Sequence, residues 1–171
     1  NLYCIDLDTG YQKWCIQTGD FVISKPAITS EGNIVFGSGD EFVYCASAND
    51  GNVIWNTKLG GSVLSDPLTS EGRVFIGCGD GKIYCLNSAS GEIVWGYQTD
   101  GLMRQRPILE NGILYAFVRD TYIWYAIDAS TGQLIWRGNA MNPCLYVVMY
   151  DRLSPTENCG VLMHKIRALL I

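Results

Sequence analysis

The sequence predicts an all-β protein made of short antiparallel four-stranded sheets repeated along the chain. Three observations lead there. Tryptophan recurs at positions 14, 55, 95 and 136, at intervals of 41, 40 and 41 residues. Gly10, Gly51, Gly91 and Gly132 keep the same intervals, as do Pro26, Pro67 and Pro107 in the three stretches that have them. A fixed period of this length is the mark of a repeat architecture. Between these fixed points lie apolar runs of 4 to 8 residues separated by turn signals, with no helical period.

Residues 1–18 carry two strand-like runs, NLYCIDL and QKWCI, the last two strands of a first unit. Residues 19–58 include KPAITSEGNIVFGSGDEFVYCASANDGNVIWNTK, where SEG, GD and NDG mark three turns and leave four strands. Residues 59–99, which include DPLTSEGRVFIGCGDGKIYCLNSASGEIVWGYQT, and 100–138, which include RPILENGILYAFVRDTYIWYAIDASTGQLIWRG, repeat the plan. Runs such as IVFG and RVFIG are apolar on both faces, and a sheet of about 35 residues cannot cover both faces by itself. Stacking like units around an axis covers them, which is the logic of a β-propeller. An open solenoid is the disfavoured competitor, because its coils carry fewer strands per repeat. The WD40 and kelch repeats do not fit, since the four tryptophans are followed by Cys, Asn, Gly and Arg and no Gly-His pair occurs.

The recurring order Cys4-Asp6-Gly10-Trp14, Cys45-Ser47-Gly51-Trp55, Cys85-Asn87-Gly91-Trp95 and Ala126-Asp128-Gly132-Trp136 resembles the tryptophan docking motif of PQQ-like repeats, the quinoprotein alcohol dehydrogenase-like propellers. The resemblance covers residues 1–138. It implies that each tryptophan lies between neighbouring blades, stacked on the glycine peptide and the small residue, so that Trp14, Trp55, Trp95, Trp136, Gly10, Gly51, Gly91, Gly132, Cys4, Cys45, Cys85 and Ala126 are structural. It also implies a ring of seven or eight blades, of which about 3.5 to 4 are present here. The chemistry of the residues agrees. Glycine allows a positive-φ turn and presents a flat peptide, and cysteine or alanine leaves room for a large ring. A tryptophan burying about 200 Å² contributes about 5 kcal/mol gross at ~25 cal/mol per Å².

Residues 139–171 depart from the pattern, with Pro143 only 36 residues after Pro107. Two arrangements fit. In the favoured one the chain is part of a larger ring whose open edges are covered by further polypeptide, an expectation that the opening Asn1 encourages. In the other, PCLYVVMY and GVLMHKI supply ring-closing strands; VLMHKIRALL also reads as a short terminal helix.

Composition bounds the function. A net charge of −5 and a pI near 4.7 give no basic footprint for nucleic acid. No apolar run reaches the ~18 residues of a membrane span. Seven cysteines without a C-x-x-C pair, and a single histidine, His164, leave little from which to build a zinc site. The cysteines read as small buried hydrophobes, and as unpaired thiols they lean to a cytoplasmic setting, with periplasmic and extracellular ones left open. Asp6 and Asp8 in DLDTG lack the glycine and glutamate positions of a calcium loop and read as turn residues. GSGDEF and GCGDGK lack the Lys-Ser/Thr ending of a phosphate loop and read as hairpin turns. His164 has no nucleophile at a readable spacing. Trp124 reads as a second packing ring.

The most suggestive polar positions precede the repeat prolines. Lys25, Asp66 and Arg106 are equivalent, with Arg104 close by and Ser24, Ser65 and Gln105 alongside. On the innermost strand of a propeller they line the central channel, either as an ordinary hydrated wall or as a ligand or partner site. The function read from the sequence is a non-catalytic scaffold for protein–protein or interdomain contacts, with no cofactor expected. The resemblance also allows a quinone-binding oxidoreductase using pyrroloquinoline quinone with calcium, and a ligand-sensing domain of a signalling protein. The adjacent cysteine pair and acidic base of the quinone enzymes have no matching positions here, so the reading leans against an enzyme.

Overall fold

A computed structural model describes residues 1–139 and two further strand segments, residues 146–149 and 167–170. Residues 1–139 form one compact unit containing fourteen strands, and the two remaining segments lie in a second. Strands β1 (Leu2–Ile5) and β2 (Gln12–Ile16) make a two-stranded sheet. Three four-stranded antiparallel meanders follow in chain order: β3 (Ala27–Ile28), β4 (Ile34–Gly37), β5 (Phe42–Ala46) and β6 (Val53–Lys58); β7 (Leu68–Ser70), β8 (Arg73–Gly77), β9 (Lys82–Asn87) and β10 (Ile93–Gln98); and β11 (Ile108–Glu110), β12 (Ile113–Val118), β13 (Ile123–Asp128) and β14 (Leu134–Asn139). Strands β15 (Tyr146–Met149) and β16 (Arg167–Leu170) pair antiparallel with each other. Arg167–Leu170 is therefore a strand, not part of the terminal helix that VLMHKIRALL allowed. The ring-closing role of residues 139–171 and the surroundings of His164 lie outside the described residues.

These are propeller blades, about three and a half of them. The inner strands β3, β7 and β11 are only 2 or 3 residues long. Pro26, Pro67 and Pro107 explain this, since each removes a ladder donor and holds the residue before it extended. The chain therefore reaches the strand through an extended but largely unladdered segment.

The core lies between sheets rather than within one. One apolar cluster joins Trp14 and Ile16 to Phe36 and Ala46, between the first and second sheets. A second joins Val35, Val43, Cys45 and Trp55 to Val74, Ile76, Tyr84 and Leu86. A third joins Phe75, Ile83 and Cys85 to Leu114, Ala116, Val118, Tyr125 and Ile127. Alternate residues of one strand thus enter two different cores, which is why IVFG and RVFIG need no polar face.

The fourth sheet, β11–β14, breaks one packing rule of its predecessors. A Cβ on Gly37 would lie 2.5 Å from Val63, and one on Gly77 would lie 2.6 Å from the carbonyl oxygen of Met103, so in both places the following segment presses onto bare backbone. Forty residues beyond Gly77 stands Phe117, which stacks instead on Trp124 at 4.8 Å.

Candidate functional site

Each small residue of the repeat sits opposite its tryptophan: Cys4 pairs in register with Trp14, Cys45 with Trp55, Cys85 with Trp95 and Ala126 with Trp136. The register shifts just beyond this pair in all four sheets, a recurring bulge that turns the outer strand. Three indoles reach across to the next sheet. Trp14 donates its Nε1–H to Ala48 O at 3.1 Å, Trp55 to Ser88 O at 2.9 Å and Trp95 to Ala129 O at 3.1 Å. Beneath them lie Gly51, Gly91 and Gly132, where an added Cβ would come within 2.8, 2.5 and 2.7 Å of the rings. Trp14 and Trp55 are each 9% exposed, whereas Trp136 is 46% exposed. Gly10 has open space where the other three glycines have a ring.

The turn carboxylates are engaged in holding backbone. Asp128 Oδ1 accepts from the amides of Ser130 and Thr131 and from both hydroxyls, and these bonds, Ser130 first, hold its carboxyl down at about 2. Asp6 does the same for Asp8 and Thr9 and pairs with Lys13 at 2.9 Å; the lysine is the main reason its carboxyl stays well below the usual range. At the equivalent place Asn87 accepts from Ala89 and Ser90 with a neutral oxygen.

A second carboxylate set ties tyrosines, and the sequence did not advertise it. Tyr44 donates to Asp40 at 2.8 Å, and Asp40 also accepts from the Gly19 amide at 2.7 Å. Tyr84 donates likewise to Asp80. Burial, then the neighbouring carboxylate, pushes the Tyr44 hydroxyl up to about 12 and raises that of Tyr84 as well. In the fourth sheet one extra residue separates Asp120 from Tyr125, and the bond is rebuilt from the other side: Tyr125 donates to Asp100 at 2.7 Å. Asp100 stands where the earlier units have Gly19 and Gly60, and it also pairs with Arg137 at 2.8 Å. Counting along the repeat reveals this exchange only once the inserted residue is recognised.

The cysteines sit where small apolar residues belong. Cys45, Cys78 and Cys85 are buried, and Cys4 and Cys15 are half-buried, all as free thiols. Burial pushes Cys45 and Cys78 up to about 11, which leaves them protonated and poorly nucleophilic at neutral pH.

The positions before the prolines lie on three extended segments, 21–25, 62–66 and 102–106. Their side chains alternate: Ser24, Val63, Ser65 and Met103 are buried, while Phe21, Ile23, Lys25, Leu102, Arg104 and Arg106 are exposed and Leu64 and Asp66 half-exposed. Asp66 Oδ1 accepts from the Lys25 amide at 2.7 Å, and Ser65 Oγ donates to Gln105 O at 2.9 Å. These two bonds set the three segments side by side. Asp66 thus serves partly as an inter-blade tie, whereas Lys25, Arg104 and Arg106 extend from the surface. Sequence reasoning singled out the charges and missed the apolar residues two and four places before them, although their period of two was readable. A cleft of about 230 Å³ opens between the second and third sheets, lined by Thr29, Ser30, Thr69, Ser70, Arg73 and Ser88 among others.

Among the described residues no helix is long and apolar enough to cross a membrane. No group of three His, Cys, Asp or Glu side chains among them is placed to hold a metal ion. The carboxylate of Asp66, which precedes an inner strand, accepts from the Lys25 amide.

The family described as outer membrane protein assembly factor BamB matches residues 1–140, with a second match over residues 70–158. No curated protein matches the sequence. Among solved structures, BamB from Moraxella catarrhalis is 25% identical with a TM-score of 0.65, and the alignment covers 76% of this chain and 40% of that one. Sqt1 from Saccharomyces cerevisiae superimposes with a TM-score of 0.72 at 16% identity, covering 91% of this chain and 48% of its own. The quinohemoprotein alcohol dehydrogenase of Comamonas testosteroni gives 0.61 at 22% identity, covering 70% and 21%. The last two likenesses are of fold alone. The chain spans less than half the length of each of these proteins.

Proposed function

The chain belongs to the family of PQQ-like repeat propellers described by the outer membrane protein assembly factor BamB, and from that premise we propose that it is a non-catalytic module for protein–protein or interdomain contacts. The observation that carries this reading is the division of labour among its polar residues. The turn carboxylates bind backbone and tyrosines, and three of the tryptophans pack between sheets. Lys25, Arg104 and Arg106 enter no ion pair among the described residues and stand beside the exposed Phe21, Ile23 and Leu102 on the segments preceding the inner strands, and a surface that mixes charged and apolar side chains in this way suits binding.

A quinone-dependent oxidoreductase is the second reading, favoured by the dehydrogenase among the similar structures. A photoreactive benzoylphenylalanine placed at Ile23 of the full-length protein, with Val94 on the outer strand β10 as the comparison site, separates the two. The scaffold reading expects a discrete protein adduct from Ile23, no equivalent from Val94, and no thermal shift on adding pyrroloquinoline quinone with calcium. Saturable quinone binding with quinone-dependent dye reduction, or the absence of an adduct from Ile23, overturns it.

A further inference from the structure

We propose that the exposed face of segments 21–25, 62–66 and 102–106 docks an extended, acidic peptide segment of a partner protein carrying apolar side chains between its acids. The inference rests on the interaction-module reading and names the chemistry of the partner.

Charge complementarity is the first argument. The chain as a whole carries −5, yet this face presents Lys25, Arg104 and Arg106 against a single acid. That acid, Asp66, already has one oxygen committed to the Lys25 amide. Among the described residues the ion pairs use Lys13, Lys58 and Arg137, so none neutralises the three cations of this face. A cationic patch on an acidic protein attracts anions locally and raises their rate of encounter.

The second argument is the interleaving of apolar and charged side chains. Phe21 and Ile23 are 51% and 64% exposed, and Leu102 joins them at 37%. On each segment the exposed residues are two apart, about 7 Å in an extended chain. Phe21, Ile23 and Lys25 form one row, Leu64 and Asp66 a second, and Leu102, Arg104 and Arg106 a third. An extended ligand places its own side chains at the same spacing. Leucines on it would cover Phe21, Ile23 and Leu102, removing apolar area that is otherwise wet, while its acids would meet the three cations. A nucleic acid would satisfy the cations but would find only one aromatic ring, Phe21, on which to stack a base.

The test uses fluorescence anisotropy with three labelled twelve-residue peptides: alternating Glu and Leu, alternating Lys and Leu, and alternating Glu and Ser. Twelve-nucleotide oligothymidylate and pyrroloquinoline quinone with calcium serve as competitors. The Glu/Leu peptide is expected to bind, at least tenfold more tightly than either other peptide, with affinity falling as salt rises. The double substitution Arg104→Glu with Arg106→Glu should weaken it at least tenfold. Lys58→Glu, a like change of charge on the outer strand β6, should alter it less than twofold. Exposed side chains carry the substitutions, so matched circular dichroism and melting curves confirm that the fold is retained. Equal binding of the Lys/Leu peptide, an unchanged affinity in the double variant, or tighter binding of either competitor overturns the proposal. If no acidic peptide binds while the Ile23 adduct persists, this inference falls and the scaffold reading stands.

Discussion

Replacing Gly91 by alanine and, separately, Gly72 by alanine isolates the energy of the ring-on-glycine contact within a single sheet. The two glycines have nearly the same backbone, φ +74 and φ +71, so both substitutions place a Cβ in the left-handed region. That costs about 1–2 kcal/mol, offset by about 0.4–1 kcal/mol because alanine has less freedom than glycine to lose on folding. Around Gly72 nothing lies within 4 Å of the new methyl, so Gly72→Ala should cost about 0–1.6 kcal/mol. At Gly91 the methyl would stand 2.5 and 2.6 Å from Trp55 Cε3 and Cδ2 and 2.8 Å from Thr57 Oγ1. The indole cannot withdraw freely, since its Nε1 is bonded to Ser88 O and Thr57 Oγ1 is bonded to the Gly91 carbonyl at 2.6 Å. Overpacking of this kind adds about 1–3 kcal/mol, for an expected total of about 2–4 kcal/mol. Urea unfolding followed by circular dichroism measures both, and unchanged m-values confirm that the same transition is compared. Equal losses for the two variants would mean that the ring yields at no cost and that the glycine serves the turn alone.

Trp55→Ala should cost about 3–5 kcal/mol and Trp136→Ala less than about 2 kcal/mol, because the first ring is 9% and the second 46% exposed; parallel urea melts showing the same loss for both would contradict the inter-sheet role. Asp128 is held down at about 2 in the folded chain against about 4 when unfolded, so its contribution is present above pH 4 and is lost as the pH falls toward 2. Asp128→Asn keeps an oxygen acceptor of the kind Asn87 already provides, and should flatten stability between pH 4 and 2 while changing little at pH 7; an unaltered acid slope refutes the assignment.

The inter-sheet packing was legible because a period of 40 or 41 residues survives in the least substitutable positions: the tryptophan, the glycine beneath a ring and the small residue facing it in register. What the period could not convey is context. Trp136 carries the full motif and yet remains half-exposed, since burial of that ring depends on the sheet that follows rather than on its own unit. Phe117 occupies the glycine position of its predecessors without disturbing the strand pattern, so only the close approaches at Gly37 and Gly77 reveal what it changes. For the candidate site, the charges at 25, 66, 104 and 106 stood out in the sequence. The tie between Asp66 and the Lys25 amide did not, because it joins residues 41 apart on different blades. The apolar neighbours carry no charge to mark them; alternate ones emerge because the prolines that follow, Pro26, Pro67 and Pro107, favour an extended chain with two distinct faces before them.

The exchange of Asp100 for glycine bears on the history of the molecule. Tandem copies invite unequal crossing-over, which can lengthen or shorten an array by a whole number of units as long as every join is compatible. Here the longer hairpin of the fourth unit and the carboxylate that serves its tyrosine lie on opposite sides of the Pro107 strand, so a breakpoint between them would orphan Tyr125 or strand a surplus acid against it. Such recombinants start with a handicap.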